Sequence, residues 1–355
     1  MMKILAINPG STSTKIGVFE GTTELFEKTL RHSAEELAPF GAVVAHQKAF
    51  RKEAILAALE EAGVKASELG AIACRGGVLK PIAGGTYKVD DAVIADLLEA
   101  QIQHPASLAG IIGKEIADEN GIEAFFTDAP VTYELSELAA FSGHKAIKRK
   151  GRFHALNQKA IARQFAEQQG KKYEDVNVIV CHMGGGITVG AHMGGRTVDV
   201  NDAVSEGPFT PERSGDLPTR ELIDICFSGE YTHAEMKAFI QGKGGAFSYT
   251  GSIDMREIEE KAEAGDAEFK LVTDAMAYQV SKQIAAMGAV FGGEKVDGIL
   301  LTGGIAYSKY ITAEITKRVE FIAQVTKFPG EVELEALVLG TLRVANGEEA
   351  AKTYA

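Results

Sequence analysis

An α/β fold made of two related halves is what this sequence predicts, and three observations predict it. A unit of strand, donor-rich turn, strand, glycine turn and strand runs from residue 3 to 30 and recurs from 176 to 200. Short apolar runs alternate with amphipathic helical segments through both halves. With 355 residues, 45% hydrophobic and 24% charged, the chain has the length and apolar content for two cores.

In the first unit, residues 3–7 (KILAI) form the short apolar run of a buried strand. Asn8, Pro9 and Gly10 supply a tight turn. Ser11, Thr12, Ser13 and Thr14 line it with N–H groups and hydroxyls, and Lys15 adds a cation. Residues 14–19 make a second strand, and Gly21 opens a turn into a third over 22–30. A bend this rich in small donors suits phosphate oxygens, although an ordinary polar hairpin explains one such turn equally well. The second unit repeats the plan. Residues 176–181 (VNVIVC) are the strand, His182, Met183, Gly184, Gly185 and Gly186 the turn, 187–193 the next strand, and 196–200 the third. Three successive glycines let the backbone come close to a ligand. The repetition favours function: two loops, one per half, holding a nucleotide in a cleft between related domains.

Between and after these units the chain supplies polar groups at strand ends. Residues 52–62 read as a helix stopped by Gly63. Residues 69–74 are a strand that delivers Arg75-Gly76-Gly77, the place where open α/β sheets bind ligands; a surface arginine is the plainer explanation. Helices over 90–100 and 107–119 flank Gln103-His104-Pro105, and a strand over 122–126 delivers Asp128, which a turn or N-cap role explains equally well. The basic run 145–152 (KAIKRKGR) reads as a solvated linker, and His154 opens a helix reaching about 168. Residues 199–218 form a long irregular segment carrying Arg213, the kind that is usually functional in a compact protein. Helices follow over 219–227, 235–241 and 253–264, with a glycine-rich connection over 241–251. A long helix spans 267–291, a last strong strand covers 296–301 and ends in Thr302-Gly303-Gly304, and a final helix covers 334–346. The expected domains are 1–150 and 151–333, with 334–355 free to return to the first.

Composition narrows the function. A net charge of −12 argues against nonspecific nucleic-acid binding. Three isolated cysteines, Cys74, Cys181 and Cys226, suit buried thiols in a reducing cytoplasm. No apolar run approaches the ~20 residues of a membrane span, so a cytoplasmic, membrane-free protein is expected. Neither GxGxxG nor GxxxxGK[ST] occurs.

The motifs INPGSTSTK, CRGG, FTDAP, RFHALN and CHMGGG, in that order, resemble the acetokinase family, part of the actin, Hsp70 and sugar-kinase superfamily. GPFTPERSGDLP is more similar to the family's butyrate and branched-chain fatty-acid kinases than to its acetate kinases. The resemblance implies two ribonuclease H-like (actin-like ATPase) domains with an ATP cleft between them, and reversible phosphoryl transfer between ATP/ADP and a short-chain carboxylate, butyrate or isobutyrate, through its acyl phosphate. It implies Mg2+ and at least a homodimer. Carried over by residue, it puts Asn8, Ser11, Ser13, Lys15, His182 and Gly184–Gly186 near the phosphates, and Thr302, Gly303 and Gly304 at the adenosine. Arg75, Arg213, Asp128 and His154 become the catalytic set, with Asp128 organising the metal.

Two departures stand out. Acetate kinases carry a glutamate where this chain has Gly304-Ile305-Ala306-Tyr307, leaving Glu331, Glu333 and Glu335 as replacement candidates beside the plainer reading of an acidic helix start. Their His-Asn-Pro run is here Gln103-His104-Pro105. The readings that compete are acetate or propionate kinase, separated by pocket size, and an actin- or Hsp70-like ATPase, which leaves Arg75 and Arg213 without work.

Overall fold

A computed structural model describes residues 2–355. The chain groups into two compact units: residues up to Tyr133 together with Val332–Ala355, and Glu134–Glu331.

The first unit is organised by a mixed six-stranded sheet, ordered β3-β2-β1-β4-β6-β5. Its strands are β1 (Lys3–Pro9), β2 (Ser13–Glu20), β3 (Thr23–Arg31), β4 (Ala71–Cys74), β5 (Thr86–Lys88) and β6 (Glu123–Thr127). β1, β4 and β6 run parallel, while β1–β2, β2–β3 and β5–β6 are antiparallel. Central strands covered on both faces must be apolar throughout, and Ile4, Leu5, Ala6 and Ile7 are all wholly buried. Edge strand β3 instead mixes charges with apolar residues and stays largely open. The helices Lys48–Glu61, Ser107–Asn120 and Glu333–Ala345 cover the sheet, the last lying on β1, β4 and β6. Gly340 allows this close approach, because a Cβ there would sit 2.1 Å from Thr127 Oγ1. One consequence matters for function: β1, β4 and β6 all end on one edge, which therefore carries the 10–13 turn, Arg75 and Asp128.

The second unit has a five-stranded sheet, ordered β11-β10-β7-β8-β9, with β7 (Val178–Met183), β8 (Ile187–Met193), β9 (Arg196–Val200), β10 (Gly298–Gly303) and β11 (Val325–Pro329). The meander β7–β8–β9 repeats β1–β2–β3, and β10 and β11 add in parallel beside β7. The helix Ala267–Gly288 packs Val272, Met276, Ala277, Val280, Ile284 and Met287 into the core at helical spacing. The C-terminal edge of β7, β10 and β11 carries Gly184–Gly186, Gly303 and Glu331.

Several expectations change. The basic run is solvated over Lys145–Lys148 and at Lys150, but it is not a linker. Arg149 hydrogen-bonds Asp199 (2.9 Å), Glu206 (2.9 Å) and the Val200 carbonyl (2.8 Å), and Arg152 forks onto Asp202 at 2.8 Å. These bonds, with Ser136 N–H donating to the Val198 carbonyl, tie 134–152 into the second unit, so the chain changes unit at 133/134 rather than near 150. The 241–251 connection contains the helix Gly245–Thr250. β5, β11 and the helix Lys309–Val319 were not anticipated, and Cys226 is exposed whereas Cys74 and Cys181 are buried.

Candidate active site

In the first unit, the turn between β1 and β2 is held from behind by a residue that sequence reasoning missed. Arg51, on the helix Lys48–Glu61, is wholly buried. Its guanidinium donates to the carbonyls of Gly10 (2.9 Å), Ser11 (3.0 Å) and Ser13 (2.8 Å) and to Thr14 Oγ1 (3.1 Å). With the carbonyls drawn inward, Ser11 and Thr12 remain exposed at the tip and Ser13 and Asn8 half-exposed. The only sequence signal for Arg51 was a basic residue at the start of an amphipathic helix, which looks like a solvated face. Thr14 Oγ1 also meets His32 Nε2 at 2.9 Å. Burial, helped by the Arg51 charge, lowers the His32 pKa.

Lys15 is not delivered to the turn, since its ammonium pairs with Glu27 on β3 at 2.9 Å. Asn8, Arg75 and Glu333 do come together. Asn8 Nδ2 donates to Glu333 Oε2 at 2.5 Å, and Arg75 Nη2 lies 3.6 Å from Glu333 Oε1. Glu333 therefore does more than begin a helix, and the backbone return of the chain into this unit is what places it. Arg75 Nη1 is buried with no hydrogen-bond partner. Such an orphaned donor suits an anion. Asp128 follows β6 with φ of +42°, the sole non-glycine with positive φ among the described residues, and its Oδ1 accepts the Gly85 N–H at 2.7 Å. Strained φ of this kind concentrates at functional sites. Nearby, Leu97, Leu98, Ile102, His104, Ser107 and Ile111 line a small recess of mixed polarity. Burial first, and the Arg75 charge second, lower the His104 pKa.

In the second unit, His182 ends β7 and His154 caps the start of the helix Ala155–Gln168 by position only, since its side chain makes no cap bond. The two rings stack with centroids 3.9 Å apart. His182 Nδ1 meets Asn157 Oδ1 at 2.8 Å, and its Nε2 lies 3.6 Å from Glu331. Gly186 is where the glycine turn needs its missing side chain: a Cβ would fall 2.6 Å from Arg213 Nη1 and 3.2 Å from His154 Cε1. Arg213, His154 and the turn are thus in contact.

The irregular segment that carries Arg213 is held by its own acids and amides. Asn201 Oδ1 accepts the Val189 N–H at 2.7 Å, and Asp216 accepts that of Gly207 at 3.0 Å. Burial would raise the Asp202 carboxyl, but Arg152 and backbone N–H groups hold it down at about 2. Thr210 Oγ1 bonds the Gly185 carbonyl (2.8 Å), and Arg213 Nη1 bonds that of Ala203 (2.8 Å). Arg213 Nε is buried without a hydrogen-bond partner, its nearest acid being Glu212 at 3.9 Å. At the end of β10, Gly303 has φ of +86°, and a Cβ there would meet the Met183 carbonyl oxygen at 2.4 Å. Thr302 Oγ1 bonds Gly330, while Gly184 is half-buried and Gly185 and Gly304 stay exposed with open space around a notional Cβ at the latter two. Among the described residues, no cluster of three or more His, Cys, Asp or Glu could hold a metal.

This arrangement can be set beside known proteins. The chain is 49% identical to butyrate kinase 1 of Clostridium acetobutylicum over all of both chains. It is 50% identical to a probable butyrate kinase of Clostridium botulinum over 99% of each. In fold it matches the crystal structure of Porphyromonas gingivalis acetate kinase, with a TM-score of 0.80 at 20% identity over 97% of this chain and 100% of that one. A propionate kinase from Francisella tularensis gives a TM-score of 0.75 at 17% identity over 96% and 99%. The acetokinase family model matches residues 3–327, and the chain belongs to the acetokinase family.

Proposed function

We propose that this protein transfers the γ-phosphoryl group of ATP reversibly to butyrate, giving butyryl phosphate and ADP. Full-length identity of 49–50% to butyrate kinases supports the acid chosen, and family membership makes the chain a phosphotransferase acting on a carboxyl group. The structural observation that carries the reading is the pair of orphaned guanidinium nitrogens, Arg75 Nη1 and Arg213 Nε. Buried donors without partners are uncommon, and a carboxylate or phosphoryl oxygen would satisfy each of them with a charge-assisted hydrogen bond.

In this reading a butyrate oxygen attacks the γ-phosphorus as the bond to the ADP oxygen breaks. Butyrate is ionised at neutral pH, its pKa being roughly 4–5 by analogy with side-chain acids. No general base is needed, and the protein contributes positioning and charge neutralisation. Arg75 and Arg213 bind the carboxylate and the transferring group, and His154 donates to a phosphoryl oxygen. Ser11, Ser13 and the Gly184–Gly186 turn, with Asn8 and His182 beside them, serve the phosphates, and Thr302–Gly304 the nucleoside; Lys15, paired with Glu27, is left out of that set. Asp128 fits a hard cation that takes one or two carboxylates and keeps several waters; Glu333, held by Asn8 and Arg75, is a candidate for the second. Bound Mg2+ would neutralise phosphate charge. We further propose a cytoplasmic homodimer or larger homo-oligomer.

The test is acyl phosphate trapped with hydroxylamine, from Mg-ATP and acids from acetate to valerate and isobutyrate. A maximum at butyrate is expected. A maximum at acetate would move the substrate, and ATP hydrolysis with no trapped product would refute the reading.

A further inference from the structure

A hydrogen-bonded chain of buried side chains runs from Tyr173 through His192, Gln158 and Thr188 to the half-buried His154, and its polarity from His192 onward follows link by link. Gln158, wholly buried on the helix Ala155–Gln168, has Nε2 2.9 Å from the Thr188 carbonyl, an obligate acceptor. That contact fixes the amide: Nε2 donates and Oε1 accepts. Oε1 lies 3.0 Å from His192 Nε2, which must therefore carry a hydrogen. The other nitrogen of His192, Nδ1, lies 2.8 Å from the Tyr173 hydroxyl and 3.4 Å from Thr197 Oγ1. At the opposite end, Gln158 Nε2 also donates to Thr188 Oγ1 at 2.8 Å, and the other partner of that hydroxyl is His154 Nδ1 at 2.9 Å. The hydroxyl hydrogen of Thr188 therefore has one acceptor, His154 Nδ1. Gly190 leaves the room for this chain, since a Cβ there would fall 2.5 Å from Gln158 Oε1 and 3.3 Å from His192 Nε2.

We propose that Thr188 and Gln158, backed by His192 and Tyr173, are positioning residues that fix His154 in the tautomer with hydrogen on Nε2, so that His154 presents a donor rather than a lone pair. An imidazole with hydrogen on Nδ1 would leave the buried Thr188 O–H without an acceptor, which orphaned polar groups make unfavourable. The groups facing His154 agree. His182 stacks on it at 3.9 Å, and Arg213 reaches the same glycine; a neutral His154 ring avoids a second positive charge beside the Arg213 guanidinium. The consequence for turnover rests on the reading of His154 as the donor to the transferring phosphoryl group. The tautomer itself does not.

The test is long-range 1H–15N correlation on the full-length protein with 15N-labelled histidine, the His154 signals being identified by their loss in His154→Gln. The expected result is hydrogen on Nε2 and a lone pair on Nδ1. Thr188→Val should relax that preference and lower kcat 10- to 100-fold with little change in KM for either substrate, and Thr188→Ser should regain most of the loss. Hydrogen on Nδ1 in the unaltered protein overturns the proposal, as does a folded Thr188→Val with unchanged His154 spectrum. Gln158→Leu, which removes the fixing amide, gives an independent check with the same readout. His154→Gln with undiminished kcat would instead strike the role given to His154 in transfer while leaving the tautomer measurement to stand.

Discussion

Arg51→Met removes the guanidinium while keeping much of the side-chain length, and the consequence can be worked from its bonds. Four contacts of 2.8–3.1 Å reach the turn at Gly10, Ser11, Ser13 and Thr14, and a fifth holds Gln47. Hydrogen bonds to a charged group contribute ~1.5–3 kcal/mol each, and bonds sharing one donor group do not add. Burial also penalises the charge, which the lowered Arg51 pKa reflects. The carbonyl of Ser11 can rehydrate at the exposed tip, but the bond to buried Thr14 cannot be replaced by water. A net loss of about 2–4 kcal/mol in the ordering of the turn follows. If the phosphate-ready turn is depopulated by that amount, apparent nucleotide affinity falls about 30- to 1,000-fold, at 1.36 kcal/mol per tenfold. The assay is KM and kcat for ATP and for butyrate in the trapping reaction, with a thermal melt to confirm folding. Arg51→Lys should fall between, since an ammonium cannot span the fork. A folded Arg51→Met with unaltered KM for ATP and unaltered kcat would refute the reasoning.

Other consequences are more direct. Arg213→Ala and Arg75→Ala should each fold and lose most turnover, checked by activity beside circular dichroism; normal activity in either would remove the core of the site. Gly186→Ala pushes a methyl group into Arg213 and His154, so kcat should drop at least tenfold while the melting temperature changes little. His32 is buried with a pKa below the ordinary histidine value. The stability it contributes is present above ~6.5, its unfolded value, and is lost as pH falls through the lower folded value. Denaturant titrations from pH 7.5 to 5 should show that decline, and His32→Phe should flatten it.

Much of the fold and part of the site were legible along the chain. Period-two and continuous apolar runs set the two meanders, because a strand covered on both faces must be apolar and an edge strand need not be. β8 and β9 fall where the alternation placed them, at Ile187–Met193 and Arg196–Val200. Polar residues just beyond strands β4, β6, β7 and β10 were visible as candidates for the same reason: parallel strands deliver their C-terminal ends to one edge. β11 was missed because VTKFP mixes a lysine with a proline and lies half-open at the sheet margin.

What sequence by itself determined about this protein, then, is its periodicity, its turns and the motifs that follow strands, since each depends on residues within a few positions of one another. What only the tertiary structure decided is which charges are buried and whom they meet. Arg51 and Lys52 stand side by side in a run that looks solvated, yet one is sealed behind a turn and the other is paired with Glu115 and Glu119 on a different helix. Arg149 looked like part of a linker until Asp199 and Glu206 closed around it. Glu333 meets Asn8 from 325 residues away. The partner of a buried charge is set by how strands and helices stack. No local pattern records that, because the desolvation that makes the partner necessary arises only when the chain folds.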